Sequence, residues 1–248
     1  MITEILSHHI LDHVVPLSIF GLKLGITVHT MYMLGISVLL LLLLPAAARL
    51  KGGRVKMAAE GFVCFVRDEI VLPNMGEEGR RFVPFFCTML IFLLFANYLG
   101  LVPLASTITA NISITLGMAV VSGLMIIGQS IRENGFLGFL KTFVPNGVPW
   151  VLVPIVFPLE VISLFIRIAV LAIRLFANMV AGHMVLLGLF GFIFLMGIKS
   201  MTVGYASSGP VLLMTLFVSM LELLVAAIQA YVFTLLTAIY AGLQQHAH

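Results

Sequence analysis

Long uncharged apolar runs alternate along the chain with short segments that carry charges, proline or glycine. A leucine-rich run at 31–48 ends at a basic cluster, and residues 82–131 contain no Asp, Glu, Lys or Arg. A helix that crosses the hydrocarbon core needs about 20 residues, each rising about 1.5 Å. The pattern therefore predicts one span at 29–49 and two more at 82–103 and 110–131.

The C-terminal part of the chain predicts two helices that are longer than a bilayer is thick. Residues 159–198 contain no proline, and a helix of this length would extend about 60 Å, about twice the core thickness. A second long apolar run follows the polar, glycine-containing stretch 199–209. We expect an antiparallel hairpin of two helices, 150–198 and 210–245, that tilts steeply by packing against another surface.

Charged residues near the ends of the spans predict the orientation. Arg49 and Lys51 follow the first span and mark that side as cytoplasmic, so the segment 1–28 lies outside. Residues 54–73 mix apolar and charged positions, as in an amphipathic helix lying in the membrane interface. The predicted fold class is an all-α membrane protein, a single domain over 1–248 with about five membrane-embedded helices and one interfacial helix.

The composition excludes several classes of protein. Of 248 residues, 61% are hydrophobic and 9% are charged, which leaves too little polar surface for a soluble globule. Most basic residues flank apolar runs, so the net charge of +3 reflects membrane orientation and gives no nucleic-acid signal. Cys64 and Cys87 have no metal or redox spacing, and we expect neither a metal site nor a cofactor. The histidines at 8–13 could pair across a helical turn, but a metal-free external interfacial helix is the favoured interpretation.

Five ionisable residues lie within the apolar sequence of the predicted hairpin: Glu160, Arg167, Arg174, His183 and Glu222. An ionisable group at mid-bilayer costs at least about 2.5 to 3.5 kcal/mol, so such residues face a cavity or a partner and mark ion paths. Steps of seven residues place the first three on one stripe of the helix, and Asn178 extends it. Structural pairing or snorkelling is the alternative for Glu160 and Arg167. This alternative fits Arg174 least, because Arg174 is far from both ends of the predicted helix 150–198.

Level positions across an antiparallel hairpin have a nearly constant sum of residue numbers. This sum is 403 for Arg174 and Gln229 and 405 for His183 and Glu222. The sequence therefore predicts an Arg/Gln layer and a His/Glu layer, the latter closer to the turn. Arg174 and His183 are half a rotation apart on an ideal helix, so they cannot face the same way. We interpret Arg174 as facing a partner and the His/Glu pair as lining a separate aqueous pocket.

The residue types predict the chemistry of this site. His and Glu titrate in accessible pH ranges and can pass protons, whereas Arg keeps its charge. A fixed cation between a polar path at Glu160 and another at His183 and Glu222 would prevent protons from passing directly from one path to the other. The same cation would attract and deprotonate a carboxylate carried past it by a partner.

These residues coincide with a known motif. Residues 174–182 read R-L-F-A-N-M-V-A-G, which resembles the R-L-F-x-N-M-x-x-G signature of F-type ATP synthase subunit a. The resemblance continues through N-Y-L-G-L-V-P at 97–103, Asn111, Glu160 and Gln229, and so covers most of the chain from about residue 80 onward.

The resemblance implies a non-catalytic stator subunit of the F0 sector, with two half-channels beside a rotating c-ring. Arg174 takes the place of the arginine that faces the ring carboxylates, and Gln229 that of the glutamine close to it. In many bacterial members the signature ends in a glutamate and the last helix carries a histidine. Here His183 and Glu222 are exchanged, as in mitochondrial and related bacterial forms. Asn178 extends the site, with Arg167 and Asn111 as possible accessory residues.

The implied partners are the c-ring, the peripheral stalk b subunits, other ATP synthase subunits and membrane lipids. The implied location is a bacterial inner membrane, with the mitochondrial inner membrane as the alternative. Protons are favoured over sodium ions.

Two other functions stay open on the residues alone. A secondary transporter or ion channel would also bury charges, but it predicts an inverted internal repeat and interrupted helices, which this sequence lacks. An intramembrane enzyme needs a nucleophile with a base at depth, and Ser163 and Ser219 have no recognisable base.

Overall fold

The computed structural model describes residues 14–19, 22–49, 53–101, 108–143, 149, 152–199 and 201–245. Its helices, in chain order, are α1 (Val28–Arg49), α2 (Arg54–Phe65), α3 (Leu72–Met75), α4 (Val83–Gly100), α5 (Ile112–Thr142), α6 (Val153–Lys199) and α7 (Met201–Gln245). A π-helical stretch (Val66–Val71) joins α2 to α3, and two 3-10 segments (Glu77–Phe82 and Ile108–Ala110) precede α4 and α5. The histidine-containing stretch 8–13 and the last residues, 246–248, lie outside the described residues.

The predicted all-α membrane class is confirmed. Among the described residues, four helical segments are long and apolar enough to cross a membrane: Glu77–Gly100, Ile112–Phe136, Val153–Ile198 and Ser208–Gln244. A shorter apolar stretch, Thr30–Leu42, lies within α1. The chain is a multi-pass membrane protein.

A small β-hairpin, absent from the fold predicted above, precedes α1. Strands β1 (Val14–Ile19) and β2 (Leu22–Thr27) pair antiparallel, from Val14 with Thr27 to Ile19 with Leu22. The β-branched and apolar residues of both runs favour strands, but Pro16 lies within the first run and no Asn-Gly or Asp-Gly pair separates the two runs, so the hairpin signal in the sequence is weak.

Helix α7 is longer than predicted, whereas α6 has about the predicted length. Helices α6 and α7 contain 47 and 45 residues, which corresponds to about 70 Å each, more than twice the hydrocarbon core. The break between the two helices is shorter than the predicted stretch 199–209, because α7 begins at Met201 and contains Pro210. In an apolar environment no water competes for the backbone groups, so small polar residues and a proline are tolerated within a helix.

The core lies where α7 crosses the other helices. It combines apolar side chains of the 66–75 segment, α4, α5, α6 and α7, and α6 packs along much of α7. Small residues permit this close approach: Ala119 of α5, Ala172 of α6, and Ala230, Ala238 and Ala241 of α7 are buried. A second cluster, with Ile36 and Leu40 against Ala96, joins α1 to α4.

The segment 54–75 begins exposed and ends buried. Within α2 no residue is buried, whereas Val66, Ile70, Val71 and Met75 have no exposed surface. The segment ends against α7, where a Cβ on Gly242 would overlap the backbone of Asn74. This contact holds the last turns of α7 in place.

Candidate functional site

Arg174 lies on the outer face of the hairpin. Its neighbours Leu171 and Leu175 are each 1% exposed and face the core, so Arg174 points about 60° away from Leu171 and about 100° away from Leu175 on the helix. The side chain is exposed, and no hydrogen bond or ion pair joins it to the described residues. The exposed side chains around it, Val170 and Ile173, are apolar. A permanent charge therefore lies on an apolar surface without a partner in this part of the chain.

Glu160 and Arg167 form an ion pair. Nη2 of Arg167 lies 3.3 Å from Oε1 of Glu160, and the guanidinium carbon lies 5.6 Å from the ring centroid of Tyr240 on α7. The structural-pairing alternative therefore has direct support for these two residues. Arg174 does not take part in the pair.

Glu222 is buried against Gly182. A Cβ on Gly182 would come within 2.6 Å of Glu222 Cδ and 3.1 Å of Cγ, so the absence of a side chain provides the space for the carboxyl group. Gly182 and Glu222 have residue numbers that add to 404, which agrees with the predicted register. His183, the next residue of α6, is half-buried.

Gln229 and Asn97 extend a buried polar stripe from Glu222 along α7. Nδ2 of Asn97, on α4, donates a hydrogen bond of 3.1 Å to the carbonyl of Ala226, which lies between Glu222 and Gln229. Within the described residues, both Glu222 oxygens, Oδ1 of Asn97 and Nε2 of Gln229 are buried without hydrogen-bond partners. Leaving such groups unpaired is costly, so this stripe is suited to receive water or protons.

Gln229 is level with Arg174 but faces another way. In the register that Gly182 and Glu222 define, Gln229 lies opposite Leu175, whose side chain is buried. Gln229 is 8% exposed, whereas Arg174 is exposed. Arg174 and Gln229 therefore lie at about the same depth along the hairpin, and no hydrogen bond joins their side chains within the described residues.

Two of the polar residues lie at the margins of this arrangement. Oδ1 of Asn111 accepts a hydrogen bond of 2.9 Å from the backbone N–H of Ser113, which caps the N-terminus of α5. Asn178 is half-buried one turn after Arg174. The cap gives Asn111 a structural role, and a function in translocation stays a prediction.

Three residues of this site were not selected from the sequence as site residues: Asn97, Gly182 and Tyr240. Asn97 and Gly182 belong to the recognised motifs. Tyr240 had no signal in the sequence, because its role depends on which residue of α6 lies beside it.

We expect Gly182→Ala to destabilise the hairpin and slow its function, because the added methyl overlaps the Glu222 carboxyl group. Overpacking of this kind costs about 1 to 3 kcal/mol. Thermal unfolding of the purified protein and ATP-driven proton pumping in vesicles measure the two effects. Gly188→Ala on the same helix is the matched control, since nothing lies within 4 Å of its Cβ. If Gly182→Ala still destabilised a Glu222→Ala background by the same amount, the overlap would not be the cause.

Comparison with known proteins gives the family. The family model "ATP synthase A chain" matches residues 28–242. The chain is 36% identical over 239 residues to ATP synthase subunit a of Novosphingobium aromaticivorans, covering 93% of this chain and 91% of that protein. It is 38% identical over 237 residues to ATP synthase subunit a of Maricaulis maris, covering 92% and 91%. For that of Myxococcus xanthus the identity is 39% over 236 residues, covering 90% and 73%. The chain therefore belongs to the ATP synthase subunit a family of membrane-embedded F0 subunits, which serve proton transport and ATP synthesis.

Proposed function

We propose that this chain is the stator subunit that loads and unloads the carboxylates of a c-ring through two half-channels separated by Arg174. The observation that carries the proposal is the exposed guanidinium of Arg174 on an apolar face, without an ion-pair partner in the described residues. A charge in this setting is costly unless another subunit or a wet path compensates it. A moving carboxylate on a neighbouring subunit supplies that compensation.

The ordering of groups along the hairpin supports two separate paths. Glu160 lies toward the N-terminal end of α6, and Glu222 and His183 lie on the other side of Arg174, nearer the turn. Arginine keeps its proton at any accessible pH, so protons would stop at Arg174. They would reach the ring carboxylate from one path and leave by the other.

The buried stripe of Glu222, Asn97 and Gln229 is the proposed wall of the path nearer the turn. Its unpartnered oxygens and amide group would bind waters or a transferred proton. His183, which follows Gly182, is the second titratable group of this path. Asn178, Arg167 and Asn111 are proposed as accessory residues.

The exposure of the hairpin supports docking to a partner in the membrane. In the most apolar windows of α6 and α7 only 17% of the residues are buried inside the chain, against 39% for the segment containing α4. We propose that the c-ring covers the face with Arg174, and that peripheral stalk b subunits and lipids cover other apolar faces. Nucleotide chemistry would belong to other subunits of the complex, so this chain would be non-catalytic.

The proposed topology follows the sequence analysis. The segment 1–28 lies outside, the amphipathic segment 54–73 lies in the cytoplasmic interface, and the spans separate these two sides. A bacterial inner membrane is the proposed location, in line with the bacterial sources of the relatives. The mitochondrial inner membrane is the alternative.

Site-specific cross-linking in the assembled complex tests the proposal. A photoreactive residue at Ile173, exposed beside Arg174, should give a cross-link to a c-ring subunit. The same residue at Phe136, an exposed position on α5, serves as the control and should give little of that product. A chain that purifies without a c-ring and transports ions alone after reconstitution would favour the secondary-transporter alternative.

A further inference from the structure

Arg167 is held by two groups at once. Its guanidinium bonds Glu160 on its own helix at 3.3 Å and lies 5.6 Å from the centre of the Tyr240 ring on the opposite helix. A guanidinium within about 6 Å of an aromatic face is attracted by the ring quadrupole. The Arg167 side chain is 27% exposed, so the pair is partly open and not locked within the core.

Tyr240 lies on a part of α7 that several contacts hold in place. Oγ1 of Thr142 donates a hydrogen bond of 3.1 Å to Oε1 of Gln244, and the hydroxyl of Ser130 donates one of 3.4 Å to the Gln244 carbonyl. On the other side, Gly242 packs directly against the backbone of Asn74. The ring of Tyr240 is therefore presented to α6 from a fixed turn.

The guanidinium of Arg167, the second one on α6, would interfere with the proposed mechanism if its side chain were free. Arg167 is two turns, or about 10 Å, from Arg174 along one stripe of the helix. An arginine side chain is long and flexible, and a free one could approach the carboxylate that Arg174 is meant to bind. It would then compete with Arg174 or hold the carboxylate in its charged form.

We propose that Tyr240 is a positioning residue whose ring holds Arg167 on Glu160, so that Arg174 is the cation available to the passing carboxylate. This inference rests on the proposed function and adds a residue that touches neither the c-ring carboxylate nor the proton. The aromatic ring of Tyr240 acts through Arg167, so its effect depends on the presence of that arginine.

A double-mutant cycle in membrane vesicles carrying the assembled complex tests this role. Tyr240→Leu should reduce the ATP-driven proton pumping rate by about two- to fivefold, the factor that corresponds to a partly exposed cation–π contact. Tyr240→Phe, which retains the ring, should restore the rate. In an Arg167→Gln background, Tyr240→Leu should cause no further loss, because the cation it positions is gone.

Two outcomes of the pumping assay would overturn the inference. One is an equal loss from Tyr240→Leu in the presence and absence of Arg167, and the other is a Tyr240→Phe variant as slow as Tyr240→Leu. Tyr240→Met provides a second aliphatic variant, and if neither aliphatic variant assembles, the ring is structural and the inference is rejected. Arg174→Ala is measured in the same assay. If the Arg174→Ala variant still pumps protons, the proposed function is wrong. If Arg174→Ala is inactive but the effects of Tyr240→Leu and Arg167→Gln are additive, only the role of Tyr240 is rejected.

Discussion

Arg174→Ala is expected to reduce ATP-driven proton pumping by about 100-fold or more while the subunit still assembles. Placing the charge at membrane depth costs at least about 2.5 to 3.5 kcal/mol. We expect the guanidinium to stabilise the partner's carboxylate by at least a comparable free energy. Losing that stabilisation corresponds to a factor of about 100 in the pumping rate. Stability should not suffer, because within the described residues Arg174 has no hydrogen bond or ion pair to lose. Fluorescence quenching in vesicles measures pumping, and immunoblots of the purified complex measure assembly.

Arg80→Ala is the charge-matched control for this prediction. Arg80 lies in the charged 3-10 segment Glu77–Phe82 that precedes α4, in an exposed pair with Glu77, and 61% of its side chain is accessible. Exposed pairs contribute little, so the variant should pump at nearly the normal rate. Full pumping by Arg174→Ala would reject the role of Arg174, and loss of the subunit from the membrane would show that the residue serves folding instead.

Glu222→Ala is expected to slow proton passage by about 100-fold, because a group that transfers protons typically contributes a factor of that size or larger. The same change should leave thermal stability unchanged or raised. It removes two buried carboxyl oxygens that have no hydrogen-bond partner in the described residues, and removing an unpaired polar group is not costly. Few structural residues show this combination of lost rate and retained stability.

The control for Glu222 lies on the same face of α7. Thr215→Ala removes a buried hydroxyl that donates a hydrogen bond of 2.8 Å to the carbonyl of Val211 on its own helix, so it should change pumping little. His183→Ala should also slow pumping. The exchanged variant, with His183→Glu and Glu222→His, should recover part of the rate if the two act as a pair. A rate for the exchanged variant no higher than for either single alanine variant would argue against the pair.

The depth of the site residues could be predicted because it depends on helix geometry alone. Counting residues across the hairpin predicted level pairs with sums of 403 and 405, and the contact between Gly182 and Glu222 has a sum of 404. The rise per residue is constant in an unbroken helix, so a single register defines the height of every other pair. The error lay in the turn, since α7 begins at Met201 and not near Pro210.

The direction of each side chain could not be predicted in the same way. The stripe of Glu160, Arg167 and Arg174 is regular in sequence, yet two of its members pair with each other and the third is exposed without a partner in the described residues. Which of them meets a partner depends on the neighbouring helix, and Tyr240 is more than 70 residues from Arg167 along the chain.

By itself the sequence determined that this chain is membrane-embedded, that its last two helices are longer than the bilayer is thick, and that ionisable residues lie within these two helices. These properties depend on hydropathy and on helical periodicity, which are local. Only the tertiary structure decided that Arg174 faces outward, that Glu222 fills the space at Gly182, and that Arg167 lies beside the Tyr240 ring. The rotation of a helix about its axis is set by close packing of small residues against distant parts of the chain, and no local pattern encodes it.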